Sequence, residues 1–84
     1  MFTQDVVNLW VLTKLIIKDM GREITEEDIR EFVESLWKRD SLRKAFVKEY
    51  GIEEKDERKI EALFKKTVVN ILKKYEEEAS EVGF

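Results

Sequence analysis

An all-α fold, a compact four-helix domain with a long C-terminal amphipathic helix, is what this sequence predicts, and three observations carry the prediction. Between Asp56 and Tyr75, the residues Ile60, Leu63, Phe64, Thr67, Val68, Ile71, Leu72 and Tyr75 fall on one side of a 3.6-residue spiral. Lys59, Lys65, Lys66, Asn70 and Lys73 take the other side. Thr25 and Asp28, with Ile24 and Ile29 around them, spell out a helix start. The 84 residues also contain no proline and no strand signal.

The length allows one domain, residues 1–84. A domain of this size buries only about 60–65% of the surface its unfolded chain exposes, so its stability is small without help. There is no cysteine and no histidine, which removes disulfides and the usual soft metal ligands. Helix packing, charge networks or oligomerisation must stand in for them. Charged residues at 42% and hydrophobic residues at 43% make the chain too apolar for disorder. The Lys- and Glu-rich usage, with the single glutamine Gln4, resembles that of thermophile proteins. The apolar run from Val6 to Ile17 is broken by Asn8, Thr13 and Lys14 and is too short to span a bilayer. It lacks the basic leader and the small-residue cleavage site of a signal peptide. A soluble, unprocessed, cytoplasmic protein with no membrane partner is expected, and the lack of cysteine agrees with that compartment.

The first helix is expected over residues 4–20, with Thr3 as N-cap and Gly21 as the left-handed residue after its end. Its main apolar face is Phe2, Val6, Leu9, Thr13, Ile16, Ile17 and Met20, flanked by Trp10 and Leu12. A second apolar row, Val7, Val11 and Leu15, lies on the opposite side. A helix apolar on two sides is buried on two sides. Either this helix is central to the monomer, or Val7, Val11, Leu15 and the neighbouring Trp10 form a subunit interface.

The second helix is expected over 26–39. Thr25 and Asp28 form a capping box, Ile24 and Ile29 a hydrophobic staple, and Glu26, Glu27 and Asp28 set negative charge against the positive helix end. Its face is Ile29, Phe32, Val33, Leu36 and Trp37. Continued unbroken, it would place Asp40 in that face and rotate Leu42, Phe46 and Tyr50 away from it by roughly 90–110°. A break at Arg39–Ser41 removes both conflicts, with Asp40 or Ser41 capping a third helix over 41–50 that Gly51 ends. The fourth helix, over 56–78, would be about 34 Å long. Glu54 with Arg58 and Glu61 with Lys65 have the favourable i,i+4 order. Residues 79–84 are expected to fray, because acids accumulate at a negative helix end. The core expected from these faces is Val6, Leu9, Ile16, Ile29, Phe32, Leu36, Leu42, Phe46, Ile60, Phe64, Ile71 and Tyr75.

For function, composition excludes more than it names, and no motif identifies a family. Without His or Cys the common general base and the best nucleophile are missing, so no catalytic residues and no enzyme are expected. Glu27, Asp28, Glu31 and Glu34 share a helix surface but have no Ca²⁺-loop spacing, so neither a metal nor any other cofactor is expected. Charge is unevenly placed around a net −3: residues 23–34 hold six acids and one base, residues 38–48 five bases and one acid. Whole-molecule charge opposes generic polyanion binding. The opposed patches and the second apolar row point instead to a non-catalytic protein–protein interaction or assembly module, a homodimer or a partner of another protein. The alternative is a small helix-turn-helix regulator that offers Arg39, Ser41, Arg43, Lys44 and Lys48 to DNA. Against that alternative stand a turn without glycine and an acidic helix beside it. Lys59, Lys65, Lys66 and Lys73 form a further basic stripe, most simply a solvated face.

Overall fold

The computed structural model describes residues 1–81, and among them it contains four helices and no strand. They are α1 (Phe2–Asp19), α2 (Glu26–Trp37), α3 (Asp40–Glu49) and the long C-terminal α4 (Glu57–Glu81). α4 packs against α1 and α2, and α3 packs against α2 and α1.

The contacts also fix the helix directions. Phe2, at the start of α1, meets Phe64 early in α4, while Trp10 and Lys14 further along α1 meet Glu76 near the end of α4. These two helices therefore run parallel. α2 runs against them, with Trp37 at its end reaching Phe64 and Phe32 in its middle reaching Trp10. Short α3 closes the end of the molecule where α4 begins, which lets α4 start on the same side as α1. The shape is elongated, 41 × 24 × 18 Å, because α4 is the longest element.

At the closed end three phenyl rings touch pairwise: Phe2–Phe46 at 5.4 Å, Phe2–Phe64 at 5.5 Å and Phe46–Phe64 at 5.4 Å between centroids. Trp37 and Tyr50 add edge and tilted contacts around them. Such pairs contribute roughly 0.5–1.5 kcal/mol each beyond area burial. Further along, Val6, Trp10, Phe32, Val33, Leu36, Leu42, Val68 and Leu72 continue the same core.

Half of the expected core is fully buried: Val6, Phe32, Leu36, Leu42, Phe46 and Phe64. Leu9, Ile29, Ile60, Ile71 and Tyr75 pack against it half-buried. Ile16 does not belong to it. Phe2, Val6, Trp10 and Ile17 set the buried direction of α1, and at 100° per residue Ile16 points about 85° away from their mean. Trp10 is likewise corrected, from a helix edge to the centre of the core.

Caps explain most boundary differences. α1 starts at Phe2 with Met1 in the cap position, so Thr3 is not the N-cap. The Phe2 ring is held in the core, and its backbone N–H donates to the Glu49 carboxylate at 2.8 Å, a partner from α3 in place of a side-chain cap. Gly21 adopts φ +78° after α1, and its N–H donates to the Lys18 carbonyl. Gly51, at φ +60°, follows α3, and there the Ile52 N–H closes a six-residue turn on the Val47 carbonyl. At the start of α3, Arg39 occupies the cap position without a side-chain bond. Asp40 is already helical and pairs with Arg43, so neither Asp40 nor Ser41 is the cap. Asp56 caps α4 instead, accepting the Arg58 N–H at 3.0 Å. Glu54 turns to the backbone N–H groups of Lys55 and Asp56, so the expected pairing with Arg58 gives way, while Glu61–Lys65 forms at 2.7 Å. The helix is described through Glu81, and the part of the fraying expectation that covers 82–84 lies outside the described residues.

The capping box at α2 is complete. The Asp28 N–H donates to the Thr25 hydroxyl oxygen and the Thr25 N–H to the Asp28 carboxylate. Arg22 adds a two-pronged pair to the same carboxylate at 2.8 and 2.9 Å. Arg22 first, and then the Thr25 backbone, hold the Asp28 carboxyl far below the usual carboxylate range.

Three tests follow from this packing. Phe64→Ala removes the ring shared by the closed end and should cost about 3–5 kcal/mol in urea unfolding, whereas Leu63→Ala, on the open side of the same helix turn, should cost less than about 1 kcal/mol. Thr25→Ala should lower the melting temperature by about 4–8 °C, the equivalent of about 1 kcal/mol in a domain of this size. Asp28→Asn should act differently with pH. The lowered carboxyl contributes stability that is full at neutral pH and is lost as the pH falls below about 4 towards its folded-state value. The gap in melting temperature between the parent and Asp28→Asn should therefore narrow as the pH is lowered from about 7 towards 2.

Candidate functional site

Packing consumes one side of α1 and leaves another open. The buried residues Phe2, Val6, Trp10 and Ile17 occupy one side. Outside that face, in the C-terminal half and at the cap position just after it, stand Leu12 (56% exposed), Leu15 (57%), Ile16 (62%) and Met20 (65%). Leu12, Ile16 and Met20 are spaced i, i+4, i+8 and form one ridge, with Leu15 beside it. Gln4, Asp5 and Asn8 make the same side polar in the first half of the helix, so the apolar stripe has a definite beginning. Asp19 and Lys18 border it near its end. Among the described residues most of the large exposed hydrophobic side chains lie on this ridge and its neighbour Leu15; the others, Met1, Tyr50 and Leu63, are scattered.

The four residues expected from the sequence to form an interface differ in exposure. Leu15 is exposed, Val7 and Val11 are half-buried, and Trp10, at 1% exposure, is covered within the chain. Trp10 lies against Phe32 at 5.0 Å and donates its indole N–H to Glu76 at 2.9 Å, so both its faces and its polar edge are satisfied internally. Ile16 and Met20, expected on the main apolar face, and Leu12, expected at its flank, are exposed instead. They carried the same periodicity as the true core face, and only the positions of the large rings tell the two apart.

Beside the stripe, α1, the link to α2 and the end of α4 enclose an open groove of about 700 Å³. Val11, Leu15 and Tyr75 give it apolar walls; Lys14, Lys18 and Glu76 give it charge. Glu76 ties the two helices together: its Oε1 accepts from Lys14 Nζ at 2.7 Å as well as from Trp10. Burial pushes this carboxyl up, but the bonds from Lys14 and Trp10 outweigh it and leave the group below its ordinary value.

The basic residues of the alternative reading are placed less uniformly than their spacing suggests. Arg39, Ser41, Lys44 and Lys48 are exposed, but Arg43 is half-buried, paired with Asp40 and laid over the Trp37 ring at 5.2 Å. Arg43 is therefore committed within the chain. Lys65 is also engaged. It binds Glu34 at 2.6 Å and Glu61 at 2.7 Å, and these two, Glu34 first, raise its pKa. Glu34 is lowered in turn by Lys65. The opposite charges of α2 and α4 meet within one chain here. The α2 carboxylates are divided among different partners, Glu27 with Arg30, Asp28 with Arg22 and Glu34 with Lys65. Among the described residues no three carboxylates converge as a metal site requires, and no helix is long and apolar enough to cross a membrane.

Fold and surface together define a small all-helical protein with an open apolar stripe on its first helix. Comparison with known protein families, characterised proteins and solved structures finds no match for this chain.

Proposed function

We propose that the protein is a non-catalytic assembly module that pairs with a second copy of itself through the outer side of α1. The observation that supports this reading is the exposed ridge Leu12–Ile16–Met20 with Leu15 at its flank. Four large apolar side chains at one place on a small surface are unfavourable in water, and contiguous patches of this kind mark interaction sites.

A second copy is the occupant the ridge itself favours. In a two-fold contact centred on Ile16, the two Ile16 side chains meet, Leu12 of one copy faces Met20 of the other, and Asp19 faces Thr13. Lys18 falls opposite Lys14 of the other copy in that register, but Lys14 is turned to Glu76 of its own chain. Ridges of residues four apart interdigitate when two helices cross at about −50°, the commonest class of helix packing. An isologous pairing closes on itself and covers both ridges at once.

Light scattering after size exclusion, over a series of concentrations, provides the test. The expected result is a mass near twice the monomer's 10.1 kDa, falling towards the monomer on dilution. Ile16→Glu should give a monomer at every concentration with unchanged helical circular dichroism, because that side chain contributes little to the core of its own chain. A parent protein that is monomeric throughout the series overturns the self-pairing.

A further inference from the structure

We infer that a second surface, the groove between α3 and the start of α4, docks a short acidic segment of another protein that carries a bulky apolar side chain. The groove has a volume of about 340 Å³ and a floor of Trp37, Val47 and Ile60, all half-buried. Its α3 wall is basic, built from Arg43, Lys44 and Lys48; Glu57 stands on the α4 side. An apolar floor with charge along one wall recognises a segment by two features at once. An anchor side chain displaces water from the floor, and carboxylates beside it meet the lysines.

The composition of the wall selects the partner. Arg43 lies over Trp37 and is paired with Asp40, so it stiffens the floor and leaves Lys44 and Lys48 as the exposed cations. Lysines on successive turns of one helix suit two carboxylates about one helical turn apart. A DNA backbone fits less well. Its phosphates would meet Glu57, its bases would find no free arginine in the groove, and nothing polar and sugar-like would cover the apolar floor. The acidic side of α2 in a second copy is no better an occupant, since Phe32, Val33 and Leu36 are already buried and leave that helix without an anchor. The surface is separate from the α1 ridge, so its occupancy does not depend on self-pairing.

The two tryptophans make the test direct, because Trp37 floors the groove while Trp10 is buried elsewhere. A library of displayed random peptides is selected on the full chain, with counter-selection on the Lys44→Glu/Lys48→Glu double variant. The enriched sequences should hold at least two Asp or Glu residues near one large apolar residue. Synthetic peptides of those sequences, titrated into ¹⁵N-labelled protein, should move the indole N–H signal of Trp37 and leave that of Trp10 in place. The double variant should keep the Trp10 signal of the folded chain and bind about tenfold more weakly or worse. No enrichment, enrichment without acidic residues, or affinity unchanged by the double variant overturns the inference. So does a DNA duplex that moves the Trp37 signal and displaces the peptides, with affinity falling steeply as salt rises; that result would assign the groove to nucleic acid.

Discussion

The contact on which the rest of the molecule depends is the meeting of Phe2, Phe46 and Phe64. Each ring comes from a different helix, and each pair of centroids lies within 5.5 Å. Residues 44 and 62 positions away from Phe2 are thereby brought to the start of α1. That junction places α3 across one end of the molecule and sets where α4 must begin. From there α4 runs beside α1, and the order Phe2–Phe64 followed by Trp10–Glu76 is the registration of one helix along the other. A chain without disulfides or metal-binding cysteines and histidines has few other means of fixing long-range order, and aromatic contacts carry the largest apolar area per side chain.

Charge then adjusts what the rings have arranged. Lys65 joins α2 to α4, and Glu76 receives both Lys14 and Trp10 where α1 meets the last part of α4. These ties are partly or largely exposed, so each is worth a fraction of what the rings contribute. Their role is positional. By drawing Lys14 and Glu76 to one edge of α1 they close that edge, while the side bearing Leu12, Ile16 and Met20 receives no partner among the described residues. The open stripe is thus a consequence of where the helix is gripped, and its residues are as apolar as those inside.

Much of this was legible in the residues themselves, and the local features most of all. The break before α3, the capping box at Thr25 and the glycines after α1 and α3 depend on short-range chemistry, and short-range chemistry is written in neighbouring residues. The first turn of α1 is different. Its N-terminal N–H is satisfied by Glu49, 47 residues away, and no nearby residue foretells that. Arg43 is another such case: spacing made it a cation available to DNA, while folding brought Trp37 beneath it. The local pair with Asp40 was open to reading, but the Glu49 and Trp37 contacts come only with packing between helices.

The phase of α1 shows why the candidate surface was only half readable. Hydrophobic periodicity treats Ile16 and Ile17 as near equals, since adjacent residues on a helix differ by about 100° and both can sit on a wide apolar stripe. What separates them is the volume that must be hidden. Phe2 and Trp10 are the largest apolar side chains on the helix, and burying both, together with Val6 between them, forces the inward direction to their mean. Ile17 lies close to that direction and is buried; Ile16 and Leu12 do not and remain outside, while Met20, in line with Phe2, is exposed as the cap residue past the helix end. Placing Trp10 at an edge rotates the apparent core towards Ile16 and leaves Val7–Val11–Leu15 as the surplus row. Placing it at the centre makes Leu12 and Ile16 the surplus instead, and Met20 joins them just past the helix end. For a helix with more apolar residues than its own chain can cover, the largest rings decide which of them are left for a partner.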